Sequence, residues 1–258
     1  MIMVRYARER SESGIYHVVM RGINQQDIFC DGEDYQQFLA TIKRVKADRF
    51  ELYGYCLMSN HIHLLIHEKS EEIHQVMKRV GTSYALCYNQ KYFRTGHLFQ
   101  GRYKSECVEN EKYLLTVIRY IHNNPVKARV ANKPEDYHWS SIHAYYGENE
   151  YLNGLTNAGY ILGIFSEVRP EAIRRFHEHM GKEANDTCLD DERKLRKTDE
   201  EMRTEIEANM NGIPVTALQN MERPGRNEIL RRIKAIEGAT IRQIARVTGL
   251  NYNIIFRA

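Results

Sequence analysis

The chain has 258 residues, 42% of them hydrophobic and 28% charged, with a formal net charge of +3 and a mean hydropathy of −0.59. That length suits one large domain or a medium domain with a small partner, and no apolar run is long enough to span a bilayer, which excludes an integral membrane protein. The first ten residues lack the apolar core of a signal peptide, and five scattered cysteines with no Cys-x-x-Cys pair suggest neither disulfides nor structural zinc, so a cytoplasmic location is expected.

Residues 14–22 alternate apolar and polar and read as a strand. From Asp31 to Arg49, Tyr35, Phe38, Leu39, Ile42 and Val45 fall on one face of a helix. Phe50 to Met58 and His61 to His67 read as two strands, antiparallel across a Ser59-Asn60 turn. Glu71 to Lys91 reads as a second helix, with Ile73, Val76, Met77, Val80, Tyr84, Leu86 and Tyr88 as its apolar positions. A short strand is expected near Lys104 to Val108. A further helix starts at Glu109 or Asn110, presents Leu114, Val117, Ile118 and Ile121, and stops at Pro125, leaving Asn124 at a frayed end. Strand, helix, strand, strand, helix, strand is the order of an α+β, ferredoxin-like (RRM-like) antiparallel sheet with helices on one face and the other face left for chemistry.

Beyond Gly147 the pattern weakens. A helix starting at Pro170 is expected between Ile161 and Met180. Residues 183–207 carry ten acidic against five basic residues and read as a solvated helix or linker. From Arg226 to Ala258 the balance reverses to seven basic against two acidic. Here Ala245, Gly249 and Ile255 are spaced as the close contact, turn and anchor of a small all-α helix-turn-helix. It resembles the DNA-binding helix-turn-helix of replication initiators and repressors, with Arg242, Arg246, Asn251 and Tyr252 as candidate DNA contacts. Its second helix would be only about two turns long, which puts base readout in doubt; an ordinary packing module is the alternative. The expected division is 1–150 for a nuclease or transposase domain, 151–215 for a helical and charged linker region, and 216–258 for the DNA-binding region.

The chemistry concentrates in two segments. In Leu57-Met58-Ser59-Asn60-His61-Ile62-His63-Leu64-Leu65 the strand period of two puts His61 and His63 on one face, half of a divalent-metal site. Histidines merely hydrogen-bonded on a sheet are the alternative. In Tyr120-Ile121-His122-Asn123-Asn124-Pro125, Tyr120 and Asn124 stand four apart on a helix, a phenol beside a carboxamide oxygen that could be a third ligand. Glu68 and His17 are lesser ligand candidates. Tyr113, seven residues before Tyr120, is the rival nucleophile, but its i+4 neighbour is Val117, which cannot bind metal. Residues Phe93 to Lys104 interleave rings, glycines and cations as a single-stranded DNA surface requires. Arg94, His97, Arg102, Tyr103 and Lys104, together with Arg119 and Lys127, are the candidate contacts there, a solvated loop with core aromatics being the alternative.

His-hydrophobic-His followed by Tyr-Ile-x-x-Asn-Pro-Val resembles the single-tyrosine HUH transposases, above all the REP-associated tyrosine transposases and their insertion-sequence relatives. Ser13 to Gly22 and Gly96 to Ser105 match too, so the resemblance spans roughly residues 11 to 147. It implies Tyr120 as a nucleophile forming a 5′-phosphotyrosine, a divalent Mg or Mn ion on His61, His63 and Asn124, and no nucleotide cofactor. It also implies hairpin-bearing single-stranded DNA as partner and a homodimer, and does not say whether each site is completed in trans. Two other readings stand beside it: a metal-dependent phosphodiesterase using water, and a non-catalytic DNA-binding regulator on the same fold.

Overall fold

The computed structural model describes residues 9–148, 150–182, 188–189, 198–210, 212–236, 239 and 241–258, the side chains of Arg242 and Arg257 excepted. These residues fall into two compact units, Met1–Asp190 and Asp191–Ala258.

The first unit follows the expected order. Strand β1 (Ile15–Arg21) leads to helix α1 (Gly32–Lys46), then to β2 (Phe50–Met58) and β3 (His61–Glu68), helix α2 (Ile73–Lys91), β4 (Lys104–Cys107) and helix α3 (Glu111–Lys127). The sheet order is β2-β3-β1-β4 with every neighbouring pair antiparallel. Two of the helix starts have a side-chain cap. Asp31 and Asp34 form a reciprocal capping box on α1, and the Asn110 side chain accepts from the Tyr113 backbone N–H at 2.9 Å on α3.

Alternation along the strands divides the sheet into two faces. Tyr16, Val18, Met20, Leu52, Ile62, Leu64 and Ile66 pack with Phe38, Leu39 and Ile42 of α1 and Val76, Met77 and Val80 of α2. Ile15, Cys56, Met58 and Leu65 point the other way and pack with Leu114, Val117, Ile118 and Ile121 of α3. Gly54 permits the close approach of α3. It lies where β2 slips register against β3, and a Cβ there would stand 2.4 Å from Ile118 Cδ1.

Three local expectations are corrected. Leu86 is 66% exposed, because Tyr84 and Tyr88 define the buried stripe of α2 and a residue midway between them faces away. Pro125 does not stop α3, which continues to Lys127; Ala128 N–H still bonds Asn124 O at 2.9 Å and Val130 N–H bonds Pro125 O at 2.9 Å. A proline in the last turn removes one helical donor, and here its ring is buried, so Asn124 is an ordered helical position rather than a frayed one. Beyond α4 (Ile142–Tyr145), the helix expected from Pro170 begins at Arg169 as α6 (Arg169–Met180), and a further helix, α5 (Ala158–Phe165), precedes it. Ile161, Leu162, Ala172 and Phe176 of this pair are buried in the α3 core, with Phe176 stacked on Tyr145 at 4.5 Å.

The second unit holds α7 (Asp199–Asn209), α8 (Arg223–Lys234), α9 (Ile241–Thr248) and α10 (Tyr252–Arg257). Met202 and Ile206, four apart on α7, are fully buried with Leu218, Leu230, Ile233, Ile244, Val247 and Ile255. The stretch expected to be solvated thus contributes to a core from residue 198 onward; residues 183–187 and 190–197 lie outside those described. Gly249, at φ 70°, makes the turn between α9 and α10, a conformation that disfavours other residues. Among the described residues no helix is long and apolar enough to cross a membrane.

Candidate active site

Where α3 crosses the second face of the sheet, Tyr120 meets the histidines. Its ring centroid lies 5.7 Å from His63 and 5.9 Å from His17, and the His61 and His63 rings are 5.1 Å apart. The register explains the grouping. His63 pairs with Val19 and His61 with Arg21 across β1, while His17 lies one pleat further along the same face. Tyr120 is only 3% exposed, and the Lys127 ammonium sits 4.3 Å from its ring centre. Asn124 donates its Nδ2–H to the Tyr120 carbonyl at 3.0 Å, one helical turn back, which turns the carboxamide nitrogen onto the helix and reserves its oxygen as the acceptor.

Burial dominates the electrostatics. His63 is held well below the usual histidine range, first by burial and then by the positive potential of His61, His17, Arg21 and Lys127, so its imidazole is neutral. His17 Nε2 lies 3.1 Å from His63 Nδ1, and His17 Nδ1 lies 3.5 Å from Glu106 Oε2 on β4. For Glu106, burial alone would raise the pKa, but the neighbouring His17 and the hydrogen bond from Tyr113 outweigh it and hold the carboxylate ionised. Tyr113, the rival nucleophile, is instead raised by burial and by its bond to Glu106, so it serves as a neutral donor.

A metal ion has a chemically suitable donor set here, although not three His, Cys, Asp or Glu groups: among the described residues no such trio is placed to hold one. His61 and His63 stand side by side here as donors, and Asn124 lies one helical turn beyond Tyr120 on α3. His61 Nδ1 lies 2.6 Å from Asn60 Oδ1, an anchor that fixes the ring. Two imidazoles and one neutral oxygen suit a divalent ion that completes its shell with water and phosphate oxygens.

Comparison with known proteins narrows the reading. A family model described as an IS200-like transposase matches residues 11–124, the stretch that holds β1 to β4 and all but the last residues of α3. Over residues 11–124 the chain is similar to the IS200-like transposases. A solved structure of a REP-associated tyrosine transposase bound to a REP hairpin is similar over 60% of this chain and 90% of that one, at 19% identity and a TM-score of 0.49. No curated protein matches the sequence.

Other expected DNA contacts of this segment scatter around the site. His97, Arg102 and Lys104 are exposed and Tyr103 is half-buried. Arg94 is engaged internally, bonding Gln26 Oε1 at 2.9 Å and lying over the Tyr88 ring. Arg119 reaches the His179 carbonyl at 3.4 Å. In the second unit, Arg246 makes a two-pronged pair with Asp199 at 2.5 and 2.6 Å, Asn251 caps α10 by accepting from Asn253 N–H, and Tyr252 is exposed and stacked on Phe256. The side chain of Arg242 lies outside the described residues. Glu106 and Gly54 are the positions around the site that reading the sequence missed. The alternation of Lys104 and Glu106 in a strand beside β1 was the available signal for the first; nothing local marks the second.

Proposed function

We propose that this chain is a transposase of the IS200-like kind, which cleaves and rejoins single-stranded DNA through a covalent tyrosine intermediate. The observation that carries the reading is the Tyr120 ring lying against His63 with the Lys127 cation over its face. Tyr120 Oη attacks phosphorus, an O–P bond forms, the bond to the 3′ oxygen breaks, and the phenol proton passes through solvent to the released 3′-hydroxyl. The 5′-phosphotyrosine retains the energy of the broken ester, so attack by another 3′-hydroxyl reseals a strand without a nucleotide cofactor. Lys127 favours the phenolate in the attack, and Asn124 and the two histidines would hold a Mg or Mn ion. Such an ion withdraws charge from the non-bridging phosphate oxygens. A hairpin in the DNA and a homodimer belong to the same proposal, supported by the motif resemblance and the exposed cations beside β4.

The test is a denaturing gel of end-labelled hairpin oligonucleotides incubated with protein and Mn²⁺. A metal-dependent protein–DNA band that vanishes in Tyr120→Phe, with DNA binding retained, is the expected result. Cleavage without that band means a hydrolase using water. Binding with no cleavage across an oligonucleotide library means a DNA-binding regulator.

A further inference from the structure

At the end of α2 a phenylalanine occupies the position that helices usually give to glycine. Tyr92 caps the helix, and Phe93 follows at φ 51° with its side chain 97% exposed. The Phe93 N–H bonds the Gln90 carbonyl at 3.5 Å and the Arg94 N–H bonds the Asn89 carbonyl at 2.8 Å. These are the paired bonds of a helix end closed by one left-handed residue. Glycine holds that conformation freely, whereas a bulky residue is strained in it, and here the ring buries nothing to offset the cost. We propose that Phe93 is a stacking platform for an unpaired base of single-stranded DNA. This rests on the DNA reading above and adds to it the residue that receives a base.

The backbone that carries the ring is tied down on both sides. Arg94 bonds Gln26 Oε1 at 2.9 Å and lies over the Tyr88 ring, and Asn89 Nδ2 donates to the Gly96 carbonyl at 3.0 Å. Further along, the Ile23 N–H bonds the Leu98 carbonyl at 2.9 Å and the Gln100 N–H bonds the Arg21 carbonyl at 2.8 Å. Arg21 pairs with His61, so the segment is anchored at the His61 end of the β1–β3 pair. A ring presented on such a frame loses little freedom when a base stacks on it.

Charge decides which ligand the ring suits. Phe93 to Lys104 contains no acidic residue, and His97, Arg102 and Lys104 are exposed. The carboxylates that touch the two preceding residues are engaged: Asp31 and Asp34 accept from Lys91 at 2.7 and 3.0 Å, and Asp34 also accepts from the Tyr92 hydroxyl at 2.8 Å. Phosphates would meet the cations while a base meets the flat apolar ring, the two halves of single-strand recognition. A second copy of this chain that brought the same segments together would set like charges against each other.

The experiment uses the full-length protein without metal, so that binding is read apart from cleavage. The probes are hairpin oligonucleotides whose unpaired positions carry 2-aminopurine one at a time. Native protein should quench the fluorescence at one unpaired position, as stacking does. Phe93→Gly should lose that quenching and bind about 5- to 150-fold more weakly. Its salt dependence should keep the native slope, because a stacked base releases no counterions, whereas Arg102→Gln should flatten the slope. The denaturation midpoint of Phe93→Gly should stay level or rise, since the left-handed strain is gone. Phe93→Trp should bind and quench like the native chain. Phe93→Gly with native affinity overturns the proposal, and so does a weaker affinity accompanied by a flattened salt slope, which would trace the loss to displaced cations. Native self-association abolished by Phe93→Gly, with DNA affinity kept, assigns the ring to a second copy and overturns it too. In those three cases a Tyr120-dependent covalent band leaves the transposase reading standing. A native chain that binds none of the oligonucleotides sinks both.

Discussion

The Lys127 ammonium 4.3 Å from the Tyr120 ring gives that residue a chemical role beyond a phosphate contact. A cation over a phenol favours the phenolate, and a cation–π contact of this kind is worth about 0.5–2 kcal/mol. Lys127→Gln should therefore slow single-turnover cleavage by about tenfold while leaving oligonucleotide affinity nearly unchanged. A pure backbone contact would give the reverse pattern in the same two measurements. His122 is a different case, buried away from solvent with Nε2 2.8 Å from Ser141 Oγ, which also accepts from the Tyr55 N–H. Burial, helped by the positive potential of His143, lowers its pKa to about 3. The unfolded chain takes up this proton near 6.5, so the contribution of His122 to stability is complete above that value and is lost as pH falls from 6.5 toward 3. His63 acts in the same direction. Denaturant titrations between pH 7 and 4 should show stability falling by up to ~1.4 kcal/mol per pH unit for each such histidine. His122→Gln should flatten that slope.

At the scale of elements, the site depends on how closely α3 lies to the sheet. Gly54 bears on that distance, because a Cβ there would stand 2.4 Å from Ile118 Cδ1, the tip of a side chain buried in the core. Gly54→Ala should cost about 1–3 kcal/mol through overpacking and should also depress cleavage in the surviving folded protein, since Tyr120 rides on the displaced helix. Asn110→Ala offers the contrast. It removes the α3 cap and should cost about 1 kcal/mol, yet leave the cleavage rate of folded protein close to native, because the far end of the helix stays seated. Chemical denaturation gives the stabilities and rates per folded molecule give the second comparison. Helix periodicity made most of α3 readable in advance. It did not foresee that Pro125 would be accommodated in the last turn, since the local preference before a proline is outweighed by burial of the ring and by the carbonyls that still find donors at 128 and 130.

At the scale of the whole molecule, two units carry separate cores. Met202, Ile206, Leu230, Ile244 and Ile255 form one, without residues from the sheet or from α1 to α6. Calorimetry should accordingly resolve two unfolding transitions rather than one. The acid sensitivity argued for His63 and His122 should move only the transition of the first unit. A single transition, or two that shift together with pH, would show that the units do not unfold independently.

The order of strands and helices, the side-by-side histidines of β3 and the pairing of Tyr120 with Asn124 on α3 were all determined by the sequence itself. They rest on the two shortest periods in protein structure, two for a strand and 3.6 for a helix, which neighbours in sequence express directly. The meeting of Tyr120 with His63 needed the tertiary fold, because 57 residues separate them and only the seating of α3 on the sheet closes that distance. Glu106 behind His17 depended on the β1–β4 register, and the fit of Gly54 beneath Ile118 on a single contact between distant elements. Such pairings are set by which surfaces bury each other, a property of the packed chain that no local pattern encodes.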